Sequence, residues 1–182
     1  MHRLYIAPMS TEFSKPVKAG HIHGAAQSFT LMADEDARAA LARRFGLPAI
    51  AALSGQFTLR HERGGVIGAH LSMQARVTQL CAVSNEAFEA EITETAELRF
   101  VPAESFTEAG TEAGEFAPDS LEGPDEIPYE NEVIDLGEAL AEQLALALDP
   151  YPRKPGAELP GEATDGGSSP FAALKGKFSG IS

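Results

Sequence analysis

The sequence predicts a single α+β domain in which an antiparallel β-meander of about four to six strands packs against two main helices. Three consecutive segments alternate apolar and polar residues, as half-buried strands do, and a segment on each side of them repeats apolar residues every four positions, as helices do. The chain has 182 residues, a length that suits one hydrophobic core. We therefore expect the domain to span residues 1–155 and a flexible tail to follow over residues 156–182.

Two short strands and a helix are expected first. Short apolar pieces around Val17 and at residues 28–31 are separated by glycines, which favours two short strands. Residues 34–45 predict a helix, because acidic residues begin the segment and Gly46 and Pro48 end it. The apolar positions of this helix recur every four residues: Ala37, Leu41 and Phe45.

Three alternating segments follow, at residues 53–60, 67–78 and 88–100. Each places apolar side chains on one face and polar side chains on the other. Turns are expected between them, at residues 63–65 and 84–86, because these positions hold glycine, serine and asparagine. The three segments therefore predict an antiparallel meander with one face exposed to water.

Residues 103–132 predict an acidic, flexible insertion. They have no sustained apolar period and include the low-complexity stretch TEAGTEAGE. Ten of them are acidic and none is basic, whereas residues 1–102 hold ten of each sign. The net charge of −13 argues against generic phosphate binding, but most of it belongs to this one segment.

A leucine-striped helix is expected over residues 135–148. Asp135 and Glu138 have the spacing of a capping box, and Asp149 and Pro150 end the pattern. We expect the stripe to cover one end of the sheet. Its leucines recur every four residues: Leu136, Leu140, Leu144 and Leu148.

Arginines dominate the charge between Ala37 and Asn85. Six of them stand against one acidic residue, Glu62, which gives this stretch a local charge of +5. Arginines on a helix end and on the polar face of a hairpin can bind RNA phosphates. In the alternative interpretation they form a solvated face and pair across strands with Glu89, Glu91 and Glu97. The candidate RNA-binding residues are Arg38, Arg43, Arg44, Arg60, Arg63 and Arg76.

The acidic insertion also allows two interpretations. It is either a solvated, flexible segment or a binding segment for a basic partner such as a ribosomal protein. The candidate residues for binding a basic partner are Glu108, Glu112, Glu115, Asp125 and Glu126.

Residues suited to catalysis or metal binding do not form a complete set. His21 and His23 have the spacing that would place them on one face of a strand, but further ligands are lacking nearby. The single cysteine, Cys81, follows a predicted strand and is expected to be a small buried residue. We therefore predict no catalytic residue, metal or cofactor. The chain also lacks an apolar run of signal-peptide or membrane-spanning length, so we expect a cytoplasmic protein with no membrane partner.

Three stretches of the sequence resemble the YceD family of large ribosomal RNA subunit accumulation proteins. Residues 75–102, ARVTQLCAVSNEAFEAEITETAELRFVP, resemble the family's strand, cysteine-containing turn and following strand. Residues 134–156, IDLGEALAEQLALALDPYPRKPG, resemble its second signature. Residues 168–178, SSPFAALKGKF, are similar to the ending of proteobacterial members.

The resemblance implies a non-enzymatic role in the accumulation or processing of 23S rRNA and in assembly of the large ribosomal subunit. The expected partner is a 23S rRNA precursor or pre-50S particle, with a basic large-subunit ribosomal protein as the alternative. Many family members carry Cys-x-x-Cys at the turn. Here Cys81 is followed three positions later by Ser84, so a zinc site is not expected.

Overall fold

A computed structural model describes residues 12–105 and 124–158 of the chain. Its main element is a β-sheet with helices packed on its apolar face, which confirms the predicted α+β class. In chain order the elements are β1 (Pro16–Lys18), β2 (Gln27–Met32), α1 (Glu35–Phe45), β3 (Ala49–His61), β4 (Ile67–Leu80), β5 (Ala87–Pro102), β6 (Asp125–Tyr129), β7 (Val133–Asp135) and α2 (Leu136–Ala147). Short 3₁₀ helices lie at Ala19–His21 and Arg63–Gly65.

The sheet has the strand order β2-β3-β4-β5-β6. β2 to β5 pair antiparallel with their neighbours in the chain, as the alternating segments predict. β6 instead pairs parallel to β5, starting with Asp125 opposite Leu98. The sheet is therefore mixed, and the prediction of a purely antiparallel sheet is wrong at this edge.

The predicted acidic insertion is described only at its ends. Residues 125–129 are strand rather than loop, because Ile127 and Tyr129 pack against the core beside β5. Residues 106–123 lie outside the described part of the chain. So do residues 159–182, which make up most of the predicted flexible tail. The extent of the domain, residues 1–155, stays a prediction.

Both predicted helices form, and aspartates cap both of them. Asp34 accepts a hydrogen bond from the backbone N–H of Ala37 at 2.9 Å, and Gly46 ends α1 in the left-handed conformation that glycine favours. Asp135 accepts bonds from the N–H groups of Gly137 and Glu138 at 2.9 and 3.2 Å. None of the described helices is long and apolar enough to cross a membrane.

Asp135 also joins the start of the described chain to α2. The hydroxyl of Ser14 and the backbone N–H of Lys15 donate to its carboxylate at 2.5 and 2.7 Å. Beside it, β1 and β7 form a two-stranded antiparallel sheet with Val17 opposite Ile134. The carboxylate of Asp135 thus caps α2 and also holds the residues that lead into β1.

The helix α2 crosses the apolar face over β3 and β4. A Cβ atom at Gly55 of β3 would lie only 2.7 Å from Cδ1 of Leu140, so the missing side chain makes room for this leucine. Leu71 of β4 lies beside the same position. The leucine stripe therefore packs over the middle of the sheet, and the expectation that it covers one end is wrong. The stripe residues with no exposed surface are Leu136, Leu140 and Leu144.

We expect Leu140→Ala or Leu144→Ala to lower the free energy of unfolding by about 2–5 kcal/mol, because each substitution leaves a cavity in the core. Leu146, on the same helix, is 73% exposed, so Leu146→Ala should change it by no more than about 0.5 kcal/mol. Chemical denaturation of the three variants measures the difference. Equal stability of all three would contradict this packing.

Candidate functional site

The six candidate arginines do not form one surface. Arg38, Arg43 and Arg44 lie on α1, which packs against the apolar face of the sheet. Arg60 and Arg76 lie on the opposite, polar face, near different ends of the β3–β4 hairpin. Arg63 lies in the turn of that hairpin, close in sequence to Arg60.

Two of the α1 arginines are engaged inside the fold. Arg44 makes a bidentate ion pair with Glu138 of α2, at 2.7 and 3.1 Å, and a longer contact of 3.4 Å with Glu12. The hydrogen bond to Glu138 is the main cause that raises the pKa of Arg44. Arg38 donates to the backbone carbonyl of Ala33 at 2.7 Å. Both side chains therefore stabilise the domain itself.

The carboxylate of Glu138 explains why the capping box is incomplete. In a full capping box this side chain would bond to the backbone N–H of the cap residue. Here it faces Arg44 across the interface between α1 and α2. The spacing in the sequence identified the cap at Asp135 but not this second partner.

Residues of opposite charge also face each other across β4 and β5 on the polar face of the sheet. Arg76 lies directly opposite Glu91 in the β4–β5 register. Six residues away along β4, Nδ1 of His70 lies 2.6 Å from Oε1 of Glu97. Of these two positions, only His70 and Glu97 are in contact among the described residues, and Arg76 keeps its charge.

A charge cluster around Arg99 lies at the end of this face and was not anticipated. Arg99 bridges Glu62 at 3.0 Å and Glu126 at 3.3 Å. Glu62 can reach it because Gly68 has no side chain: a Cβ atom there would lie 2.5 Å from the Glu62 carboxylate. Glu126 comes from β6, so the cluster depends on a strand that the sequence pattern placed in a loop.

An open groove of about 980 Å³ extends along the same end of the sheet. Arg60, Arg99 and His70 line it, but acidic side chains outnumber the arginines, so the interior of the groove is a poor phosphate site. Its acidic residues are Glu62, Glu94, Glu97 and Asp125.

Four candidate arginines keep an exposed charge. Within residues 12–105 and 124–158, none of these four makes an ion pair. Two of them lie close together in the chain at the β3–β4 turn. The four are Arg43, Arg60, Arg63 and Arg76.

The acidic candidates are only partly described. Glu108, Glu112 and Glu115 lie outside the described residues. Asp125 and Glu126 are exposed on β6, and Glu126 is the one bound to Arg99. The two described candidates therefore lie on the β5–β6 side of the sheet.

Cys81 is buried at the turn between β4 and β5, with 2% of its surface exposed. The backbone N–H of Ser84 lies 3.5 Å from its Sγ atom. Hydrogen bonds from the Ser84 side chain and from the backbone of Lys154 and Ser84 lower the pKa of the thiol to about 6. Residues 149–158 pack against this turn, where Lys154 pairs with Glu86 at 3.0 Å.

The described residues contain no group of three or more histidine, cysteine or acidic side chains that could hold a metal ion. His21 ends a 3₁₀ helix, and both His21 and His23 are exposed. The spacing that suggested a shared strand face therefore belongs to a turn. No catalytic arrangement was predicted from the sequence, and its expected absence stays a prediction.

A family model described as large ribosomal RNA subunit accumulation protein YceD matches residues 69–175. The match covers more than half of the chain, begins in β4 and includes α2, and it confirms the family resemblance seen in the sequence. Of the candidate arginines it includes only Arg76, whereas all the acidic candidates lie within it. No curated protein and no solved structure matches the chain.

The pair between Arg44 and Glu138 should have a coupling free energy of about 1 kcal/mol, because it is bidentate but remains partly exposed to water. A double-mutant cycle with Arg44→Gln and Glu138→Gln, followed by denaturation, measures this coupling. Arg43→Gln is the control, since Arg43 is adjacent but unpaired among the described residues. If the changes in the free energy of unfolding are strictly additive, the ion pair does not contribute to stability and the prediction is wrong.

Ser84→Ala should raise the pKa of the Cys81 thiol above its value of about 6, because the largest cause of the lowering is lost. Ser84→Thr keeps the hydroxyl and should change it less. The chain has one cysteine, so the ultraviolet absorbance of the thiolate against pH reports this group alone.

The sign of the effect on stability follows from the same shift. The folded pKa of the thiol lies below its ordinary value of 9.0, so the contribution to stability is complete above pH 9.0 and is lost as the pH falls through about 6. Ser84→Ala should flatten this pH dependence. Identical titrations of wild type and Ser84→Ala would show that Ser84 does not hold the thiolate.

Proposed function

The chain belongs to the YceD family of large ribosomal RNA subunit accumulation proteins, and on that premise we propose that it is a non-enzymatic factor in the biogenesis of the large ribosomal subunit. It supports the accumulation or processing of 23S rRNA in the cytoplasm. Its direct contact is with the rRNA of pre-50S particles. Arginines that have no ion-pair partner within the described part of the chain make this contact.

The observation that carries the rRNA contact is the exposed pair Arg60 and Arg63 at the β3–β4 turn. Glu62 lies between them in sequence, but its carboxylate pairs with Arg99 rather than with either one. A guanidinium group can donate two parallel hydrogen bonds to a phosphate. The candidate RNA-binding residues are therefore mainly Arg60 and Arg63 at this turn. Arg43 and Arg76 lie farther away and make additional phosphate contacts.

A second candidate function is an escort that holds a basic large-subunit ribosomal protein before delivery. The distribution of charge across the sheet favours it. On β5 and β6, six acidic side chains stand against the single base Arg99, whereas β3 and β4 carry two arginines and no acid. Positive charge on β3 and β4 and negative charge on β5 and β6 suit a protein that contacts rRNA with one part of the sheet and a cationic protein with the other.

Arg60→Glu combined with Arg63→Glu should release the protein from pre-50S fractions, because reversal of charge repels phosphate. Co-sedimentation through a density gradient at several salt concentrations measures the release. Lys15→Glu combined with Lys18→Glu is the matched control, since both lysines are exposed and the change in net charge is the same. Arg44 is left intact because its ion pair joins the helices.

Equal co-sedimentation of the arginine variant and the wild type would remove the turn from the proposed contact. The escort is tested separately by Glu108→Gln, Glu112→Gln and Glu115→Gln together. This variant avoids deleting β6, which a longer truncation would cut. Loss of ribosomal-protein binding with pre-50S binding intact would favour the escort over the rRNA contact.

A further inference from the structure

Among residues 12–105 and 124–158, one edge of the sheet has no pairing strand over most of β5. This strand pairs with β4 along residues 87–100. On its other side β6 begins only opposite Leu98, so no strand of the described residues pairs with residues 87–97. This open edge, residues 87–97, is about twice as long as an average strand. Every second residue along it directs its backbone N–H and C=O groups away from β4.

The backbone of the open edge is regular. Exposed edges are commonly protected by proline, by charged side chains, above all lysine, or by a β-bulge that bends the strand away. The open edge contains no proline, glycine or lysine. Its register with β4 is continuous, whereas the register of β3 with β4 shifts between Ile50 and Ala52. An additional strand can therefore pair with it without rearrangement of β5.

Charge selects what the open edge can accept. It carries no basic residue and four glutamates, of which Glu89, Glu91 and Glu97 lie on the polar face and Glu94 lies on the apolar face. Glu97 lies against His70, and the other three make no ion pair with any described residue. Like charges on facing strands are destabilising, so two copies of this edge would repel each other. A lysine- or arginine-rich strand would instead place opposite charges across the new pairing.

The apolar side of the same strand is incompletely covered. Phe88, Ala90, Ile92 and Ala96 are only partly buried. Leu146 of α2 is 73% exposed and lines the same groove as Ala96. Because side chains alternate between the two faces of a strand, an added strand with apolar residues at every second position would extend this face. Its intervening residues would lie on the polar face beside Glu89 and Glu91.

We propose that the open edge of β5 is a docking site for an extended, lysine- and arginine-rich segment of a partner protein, which adds to the sheet as a strand. Basic and apolar residues alternate in that segment. The site depends only on β5 and its neighbours. The identity of the partner as a basic protein of the large subunit rests on the proposed function.

A synthetic peptide that alternates lysine and valine and spans the open edge tests the proposal on the full chain. It should bind and slow the amide exchange of alternate residues within 87–97, because the new strand accepts hydrogen bonds from those N–H groups. A peptide of the same composition with lysines and valines in separate blocks cannot place all its charges on one face. It should bind about tenfold more weakly.

Glu89→Lys combined with Glu91→Lys should weaken binding of the alternating peptide by about tenfold or more. Glu89→Gln combined with Glu91→Gln removes the charge with less perturbation and should have an intermediate effect. Glu130→Lys combined with Glu158→Lys is the matched control, since both residues are exposed and lie outside the open edge. Thermal unfolding of each variant checks that the fold is retained.

Three results would overturn the proposal. The first is that the alternating peptide does not bind. The second is that it binds without protecting the amides of residues 87–97, or that the control variant weakens binding equally; either outcome would mean that charge attraction alone holds the peptide. The third is a dimer of the chain with protected amides at the open edge, which would make a second copy the occupant. The peptide assay contains no ribosomal component, so its failure leaves the rRNA contact of Arg60 and Arg63 to its own test.

Discussion

The contact of Leu140 with the bare backbone of Gly55 sets the arrangement of the domain. Because β3 has no side chain at this position, α2 can lie close over the two central strands and bury its leucines there. Asp135 caps the helix and holds the strand β1 beside it. With the apolar face covered by α2 and α1, the surfaces left for partners are the polar face and the edges of the sheet.

The position of each strand in the sheet then separates the charges. The basic turn of the β3–β4 hairpin lies at one end of the polar face, while the glutamates of β5 line an edge that β6 closes only in part. Arg44 and Arg38, which looked equivalent to the other arginines in the sequence, are used inside the domain. The net charge of −13 therefore gives the local charge of neither the β3–β4 turn nor the β5 edge.

Much of the fold could be predicted because most of its helices and strands show a periodic pattern of apolar residues in the local sequence. The alternation along β3 and β4 identified the buried face, and the cap at Asp135 was visible from its spacing to Glu138. The strand β6 was missed, since a short segment with two acids and a proline has a loop-like composition. It becomes a strand because β5 offers backbone groups to pair with and a core on which Ile127 packs.

The sequence by itself determined the two helices and the strands β2 to β5, and which side of β3, β4 and β5 faces the core, because these depend on neighbours within a few residues. Only the tertiary structure decided which arginines stay free, which glutamates they meet and which strand has an open edge. Those properties arise from residues far apart in the chain: Arg44 meets Glu138, and Arg99 meets both Glu62 and Glu126. A local pattern counts charges, but only the packing of distant segments determines which of them are neutralised.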